Sequence, residues 1–351
     1  MLSGHKAGDT SQMIALADSL GWKYSIKRLI YRSSELFTSV FLGPSLSGIH
    51  KKHSSSLQTP WPDLIITAGR RNEPVARWIK QQTNNRAKIA HLGRPWAPLD
   101  NYDLIITTPQ YTLPERNNIL HLSLPLHSVT KDKLAQWRDE WPQKLPALPR
   151  PWWIVLLGGN SGPYVFLESK GKQLGEWVNQ QAKKTQGSVL VSDSARTPIE
   201  TYSAFLDQLT VPNYDYHWQP DSNENPYQGY LALADHLIVT GESMSMLTEA
   251  AATETPLYLF DLADCPQYMP IDRKPCRPWW SLLHNYRYKP LTHRLSTQFA
   301  PERFHRDISR IQTRLVDSGR AVWVGEEFSG GQLRPENNLQ LAANRIREMF
   351  F

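Results

Sequence analysis

Cysteine is scarce: Cys265 and Cys276 are the two in 351 residues, separated by ten positions. That spacing fits neither a zinc site nor a redox pair and is too sparse for a disulfide scaffold, so a reducing compartment is expected. No run approaches the ~18 apolar residues a membrane helix needs. The opening Met1-Leu2-Ser3-Gly4 leaves no room for a secretory leader. The expected location is therefore cytoplasmic, with peripheral contact on the inner face of a membrane left open. Asp-x-Asp does not occur, and Gly-Lys-Ser/Thr is missing, so neither a metal–diphosphate pair nor a Walker A loop is available. Gly-x-Gly-x-x-Gly after a strand and a well-placed Tyr-x-x-x-Lys are also missing, which disfavours a dehydrogenase or nucleotide-sugar epimerase. The pair His50 and His53 in His-Lys-Lys-His lacks metal-ligand spacing, so no metal and no cofactor are expected.

What is present is a globular composition, with 40% hydrophobic residues and 11% aromatics. The length exceeds a single ordinary core and points to two domains. Residues 1–150 carry 20 Lys+Arg against 11 Asp+Glu, whereas 151–351 carry 19 against 22. A basic first half suits an anionic partner such as a membrane surface, a phosphorylated glycolipid or a nucleic acid, or is simply a solvated basic face.

Two series of short apolar runs alternate with helical patterns. The first comprises Tyr24–Ile30, Asp63–Thr67, Ala87–His91, Asp103–Thr107 and Ile119–Leu122, with helices over Thr10–Leu20 and Asn72–Thr83. The second comprises Trp152–Leu157, Ser188–Ser192, Tyr214–Trp218, His236–Thr240 and Leu257–Phe260, with helices over Pro198–Leu209 and Asn225–Ala234. Alternation of this kind predicts α/β domains with parallel sheets. Four prolines between Trp141 and Pro151 read as a linker. The expected division is a Rossmann-like domain over 1–145 and a second over 146–330, with 331–351 a helix returning to the first domain. Pro301–Ser318 reads as one helix, and Ala263–Pro290 as an irregular loop carrying Trp279, Trp280 and Tyr286.

Ligands of open α/β sheets bind beyond the carboxyl ends of strands, so the strand-end loops carry the functional argument. His236–Thr240, Gly241, a helix from about Ser243 and the strand Leu257–Phe260 form a βαβ pattern. Ser243 or Ser245 suits the cap of that helix, whose N-terminus attracts phosphate, and Glu249 lies within reach of a ribose. The same residues also fit a plain βαβ unit. Gly158, Gly159 and Ser161 lie in Gly-Gly-Asn-Ser-Gly after Trp152–Leu157, where backbone amides suit a diphosphate. Arg196, in Ser-Ala-Arg-Thr-Pro, suits phosphate charge, and Thr197 suits a helix cap. In the first half, Gly4–Gln12 offers His5, Lys6 and Asp9. Asp9 or His5 is placed as an acid or base, or Asp9 merely caps a helix. Arg70 and Arg71 follow Asp63–Thr67 and suit phosphate or carboxylate, or simple solvation.

These loops also carry a resemblance. G-H-K-A-G-D-T-S-Q at 4–12, P-D-L-I-I-T-A-G-R-R at 62–71, L-G-R-P at 92–95 and D-L-I-I-T-T-P-Q-Y at 103–111 resemble blocks of the mitochondrial-fission (elongated-mitochondria) family. So do L-L-G-G-N-S-G at 156–162, S-A-R-T-P at 194–198 and T-G-E-S-M-S-M-L-T-E-A-A at 240–251. Members of that family look like GT-B glycosyltransferases, which implies two Rossmann-like domains facing a cleft and a nucleotide-sugar donor in the second. The resemblance implies donor roles for Gly158, Gly159, Ser161, Arg196, Ser243, Ser245 and Glu249, with Glu249 at the ribose. A first strand of only Met1-Leu2-Ser3 before Gly4 departs from a full Rossmann strand.

The expected function is metal-independent sugar transfer from a nucleotide-sugar to an anionic acceptor, such as a membrane glycolipid reached through peripheral contact at Leu36–Ile49 and Lys51-Lys52-His53. Asp9 and His5 are the catalytic candidates, Lys6, Arg70 and Arg71 the acceptor contacts, and no nucleic acid partner is expected. The competing expectation is a GT-B-shaped adaptor without turnover, recruiting a protein through Trp279, Trp280 and Tyr286.

Overall fold

The computed structural model describes residues 1–4, 7–33, 43–220, 222, 224–263, 269, 288–330 and 337–350. It divides into two compact units. Unit 1 is Met1–Ser128 with Ala300–Asp307 and Pro335–Phe351, and unit 2 is Val129–Phe299 with Ile308–Arg334.

Unit 1 holds strands β1 (Leu2–Ser3), β2 (Lys27–Arg28), β3 (Leu64–Ala68), β4 (Lys88–Leu92), β5 (Leu104–Thr107) and β6 (Ile119–His121). They form one parallel sheet in the order β2-β1-β3-β4-β5-β6. Its strands are apolar on both sides because both faces are covered, as parallel sheets require. Ile66, Ala90, Leu92, Leu104 and Ile106 face a core with Met13 and Leu16 of helix Ala7–Leu20 and Ala342, Ala343 and Ile346 of helix Asn338–Arg347. Ile65, Ile89 and Ile105, one residue out of phase, face Val75, Ala76 and Ile79 of helix Glu73–Gln82. The first strand is present although only two residues long, pairing Leu2 with Lys27 on one side and with Thr67 on the other.

Unit 2 holds β7 (Trp152–Leu156), β8 (Ser188–Ser192), β9 (Asn213–Tyr216), β10 (His236–Thr240), β11 (Leu257–Phe260) and β12 (Val322–Trp323). All are parallel, in the order β12-β11-β10-β7-β8-β9. Counted within the unit this is 6-5-4-1-2-3, the order of a dinucleotide-binding Rossmann sheet, whose direction of winding reverses between β7 and β10. Helices Glu168–Thr185 and Ile199–Leu206 lie close together because Gly171 and Gly175 have no side chain: a Cβ would come within 2.4 Å of the Thr201 carbonyl oxygen and 2.5 Å of that of Phe205. The expected α/β class with two Rossmann-like sheets is the fold of this chain.

Several local expectations need correction. The Pro-rich stretch is not a free linker, because Trp141 and Leu145 are buried and Trp141 packs on Gly229. Helix Lys131–Glu140 is drawn into unit 2 by the bond from Arg138 Nε to the Ala232 carbonyl at 3.1 Å, so the division falls at 128 and not at 145. Pro301–Ser318 is not one helix. A short 3-10 turn over Glu302–Phe304 joins unit 1 through the bridge from Tyr111 to Arg306, and the helix starts only at Ser309. Tyr24–Ile30 supplies just two strand residues, and β12 had no visible signal. The terminal helix lies in unit 1, where Arg347 Nη2 donates to the Ser19 carbonyl at 2.9 Å.

Candidate nucleotide-binding site

The reversal of winding in unit 2 brings together the loops that follow β7 and β10. Gly158 N donates to Thr240 Oγ1 at 2.7 Å, and Gly159 N donates to Glu242 Oε1 at 2.5 Å. The two glycines are sterically required. A Cβ at Gly158 would sit 1.8 Å from Glu242 Oε1, and one at Gly159 would sit 2.1 Å from the Arg196 carbonyl oxygen. The third loop, after β8, closes on the first: Asn160 N donates to the Arg196 carbonyl at 3.1 Å, and the Thr197 hydroxyl donates to the Gly158 carbonyl. Asp193, at the start of that loop, is buried and holds Trp218 N at 2.5 Å and His217 Nδ1 at 2.7 Å. Burial pushes its carboxyl upward against those bonds.

The predicted donor residues thus lie on three adjoining loops and on the helix Met244–Ala251, with some roles altered. Thr197 does not cap the next helix. Pro198 stands at that N-cap, and the Thr197 hydroxyl is turned back to the glycine loop. The amides of residues 158 to 161 are already engaged, since Ser161 N also donates to the Tyr164 carbonyl at 3.0 Å. Ser243 is the N-cap of helix Met244–Ala251 but makes no side-chain cap bond, so its hydroxyl does not cover the positive end of that helix dipole. Ser245 is half-buried in its first turn, and the Arg196 side chain is exposed. Glu249, one turn further along, accepts from Tyr227 Oη at 2.5 Å, and burial raises its carboxyl above the ordinary range.

Glu242 was not singled out from the sequence. It is 2% exposed, and its Oε2 has no hydrogen-bond partner among the described residues. Burial pushes the carboxyl up to about 7, opposed by the Gly159 amide, its own amide, the Arg196 charge and the Thr240 hydroxyl. A carboxylate just ahead of a helix ordinarily reads as a solvated partner of the helix dipole, which is why Thr-Gly-Glu-Ser gave no warning.

In unit 1 the corresponding reversal lies between β1 and β3. Asp9 is in the first turn of helix Ala7–Leu20, close to Gly69, where a Cβ would be 3.4 Å from Asp9 Oδ2. Arg70 and Arg71 follow Gly69, whose φ of 72° suits glycine. Their guanidinium carbons lie 4.9 Å from the Trp96 ring centre and 5.5 Å from that of Tyr31. Asn72 Nδ2 donates at 3.0 Å to both the Leu2 and Ala68 carbonyls, tying β1 to β3 beneath this loop. His5, Lys6, Cys265, Cys276, Trp279, Trp280 and Tyr286 lie outside the described residues. A cavity of 440 Å3 lined by Leu99, Asp100, Leu113, Arg116 and Arg303 is elsewhere in unit 1 and shares no residue with these loops. Among the described residues, no group of three or more His, Cys, Asp or Glu is placed to hold a metal ion, and no helix is long and apolar enough to cross a membrane.

Residues 7–275, which include the three loops of unit 2 as well as Asp9, Arg70 and Arg71, match the family described as Mitochondrial fission ELM1. The chain belongs to that family. Among its relatives, Mitochondrial fission protein ELM1 of Arabidopsis thaliana is 23% identical over 246 residues, covering 64% of this chain and 57% of the plant protein. The chain therefore spans little more than half the length of that relative. An uncharacterized protein of Rickettsia prowazekii is 25% identical over 295 residues, covering 74% of this chain and 82% of the other. Among solved structures, the UDP-GlcNAc 2-epimerase of Neisseria meningitidis bound to UDP-GlcNAc aligns with a TM-score of 0.47 at 11% identity, over 99% of this chain and 98% of the enzyme. That of Methanocaldococcus jannaschii, in complex with UDP-GlcNAc and UDP, gives 0.47 at 9%, with the same coverage.

Proposed function

We propose that the chain is a metal-independent glycosyltransferase of GT-B type, with a nucleotide-sugar donor seated on unit 2. The observation that carries the reading is the junction at the β7–β10 reversal, where Gly158–Gly162, Ser194–Pro198 and the Ser243 helix N-terminus meet. Since the loop amides at 158–161 are engaged by protein acceptors, the diphosphate is assigned to the helix end at Ser243 and Ser245 together with the exposed Arg196. Glu249, held by Tyr227, is assigned to a ribose hydroxyl. Gly158, Gly159, Ser161 and Thr197 shape the pocket wall. In the transfer, an acceptor hydroxyl forms the new bond to the anomeric carbon and the nucleoside diphosphate leaves with the electron pair. Asp9 is assigned the hydroxyl proton, and Arg196 and the helix dipole stabilise the leaving charge.

An anionic, membrane-borne acceptor is supported by unit 1. Trp22, Tyr24, Ile26 and Ile30 are 37%, 43%, 46% and 41% exposed there and alternate with Lys23, Lys27 and Arg28. Aromatic and aliphatic side chains interleaved with cations suit a headgroup boundary. Arg70 and Arg71 are the acceptor-phosphate contacts of this reading. Calorimetry with a panel of UDP-, GDP-, ADP- and CMP-linked donors is the test. Binding that is lost in Glu249→Ala, with nucleotide released on adding lipid acceptor, is expected. Silence across the panel at millimolar concentration removes the reading.

The adaptor reading keeps one observation in its favour, the fission role in the plant relative's name. A nucleotide-bound protein that releases no nucleotide from any donor and retains a stable protein partner would replace the transferase with it.

A further inference from the structure

Glu242 packs directly against the glycine loop. Its Oε1 holds the Gly159 amide at 2.5 Å, its carboxyl group fills the space a Cβ at Gly158 would need, and its Oε2 is buried without a partner among the described residues. The groups facing it are the Gly159 amide from the β7 loop, the Thr240 hydroxyl at the end of β10, and the Arg196 guanidinium from the β8 loop. Only Arg196 carries charge, and it is exposed to solvent. One of the loop amides, that of Gly159, is thus already taken by a carboxyl group of the protein itself. An ionised carboxylate here repels a diphosphate arriving at the neighbouring helix end. A neutral carboxyl keeps the bond to Gly159 through its carbonyl oxygen and removes the repulsion.

We infer that Glu242 is the positioning residue of the diphosphate pocket, pinning the Gly158–Gly162 loop through the Gly159 amide and carrying a proton on its outer oxygen whenever the anion is bound. The inference rests on the nucleotide reading above for its second half and on the loop geometry alone for its first. Burial already pushes the carboxyl up to about 7. Diphosphate binding is then coupled to proton uptake that approaches one proton above pH 7.

The probes are UDP-N-acetylglucosamine, GDP-mannose and ADP-glucose, whose diphosphate diesters hold a fixed charge, titrated calorimetrically at pH 6 and pH 8 in buffers of different ionisation heat. For the bound probe, wild-type affinity should fall about tenfold between pH 6 and pH 8, with little proton uptake at pH 6 and close to one proton at pH 8. Glu242→Gln keeps an oxygen for the Gly159 amide and mimics the neutral carboxyl. It should bind at both pH values as wild type does at pH 6. A pH dependence equal in wild type and Glu242→Gln overturns the inference while leaving the nucleotide site standing. No binding of any probe to either protein overturns the nucleotide reading and the proton-coupled half with it. The loop half is decided without ligand. Amide exchange at Gly159 should accelerate at least tenfold in Glu242→Ala and stay near wild type in Glu242→Gln, and equal protection in all three proteins removes it.

Discussion

Tyr227 Oη donates to Glu249 Oε2 across 2.5 Å, which joins the helix before β10 to the helix after it. Both groups are sequestered, and each drives the other's proton affinity: burial first, then the Glu249 charge and bond, raise the Tyr227 phenol well above its ordinary value. Removing only the hydroxyl, in Tyr227→Phe, strands the carboxylate. Stability should fall by about 1–3 kcal/mol in urea unfolding, and nucleotide affinity should fall with it. Unchanged affinity in a folded Tyr227→Phe would detach this pair from the ribose.

The glycine loop predicts a steric outcome. Gly159→Ala places a methyl 2.1 Å from the Arg196 carbonyl oxygen, which is backbone and cannot swing away. The β7 and β8 loops must separate, at a cost of about 1–3 kcal/mol. Thermal unfolding read beside nucleotide binding is the check. Loss of binding with a near-native melting point would place the damage in the pocket and not in the sheet.

Arg320 offers a prediction on the opposite end of the same helix. It is 5% exposed, and its guanidinium donates to the carbonyls of Ala250, Ala251, Thr253 and Thr255, satisfying the helix C-terminus that Met244–Ala251 would otherwise bury bare. Arg320→Ala should cost about 3 kcal/mol or more. Arg320→Lys should recover only part of that, because an ammonium cannot span four acceptors. Equal stability of the alanine and lysine variants would contradict this account.

His91 sets an acid limit on unit 1. It is fully buried on β4, both ring nitrogens lack partners among the described residues, and burial lowers it from 6.5 to about 3. The unfolded chain therefore binds a proton that the folded one refuses. Stability present above pH 6.5 is lost as the pH falls toward 3, by about 1.4 kcal/mol per pH unit from this group. His91→Leu should flatten the acid limb of a stability–pH curve relative to wild type. Parallel curves for the two proteins would assign the acid sensitivity to other groups.

Much of the fold was legible because doubly covered parallel strands write themselves as apolar runs. Leu64–Ala68, Lys88–Leu92 and Leu104–Thr107 each fall within a residue of the run that announced them. What escaped notice was structure set by distant partners. β12 is two residues long and exists because β11 offers an open edge. The helix Ser309–Asp317 starts late because 300–307 is committed to Tyr111 and Gln110. At the site, glycine and serine positions were readable from loop chemistry. Glu242 was not, because whether a carboxylate ahead of a helix is solvated or buried depends on Gly158 and Gly159, more than eighty positions earlier.

The chain path of unit 1 has a consequence for biosynthesis. Its sheet is finished before residue 128, yet the helix covering Met13, Leu16, Ile66 and Leu92 is Asn338–Arg347. Unit 2 needs nothing beyond Arg334. On a translating ribosome, the segment that emerges first waits with one face bare while the later one closes. A nascent chain stalled before Asn338 would hold a completed second sheet and a first still open to chaperones.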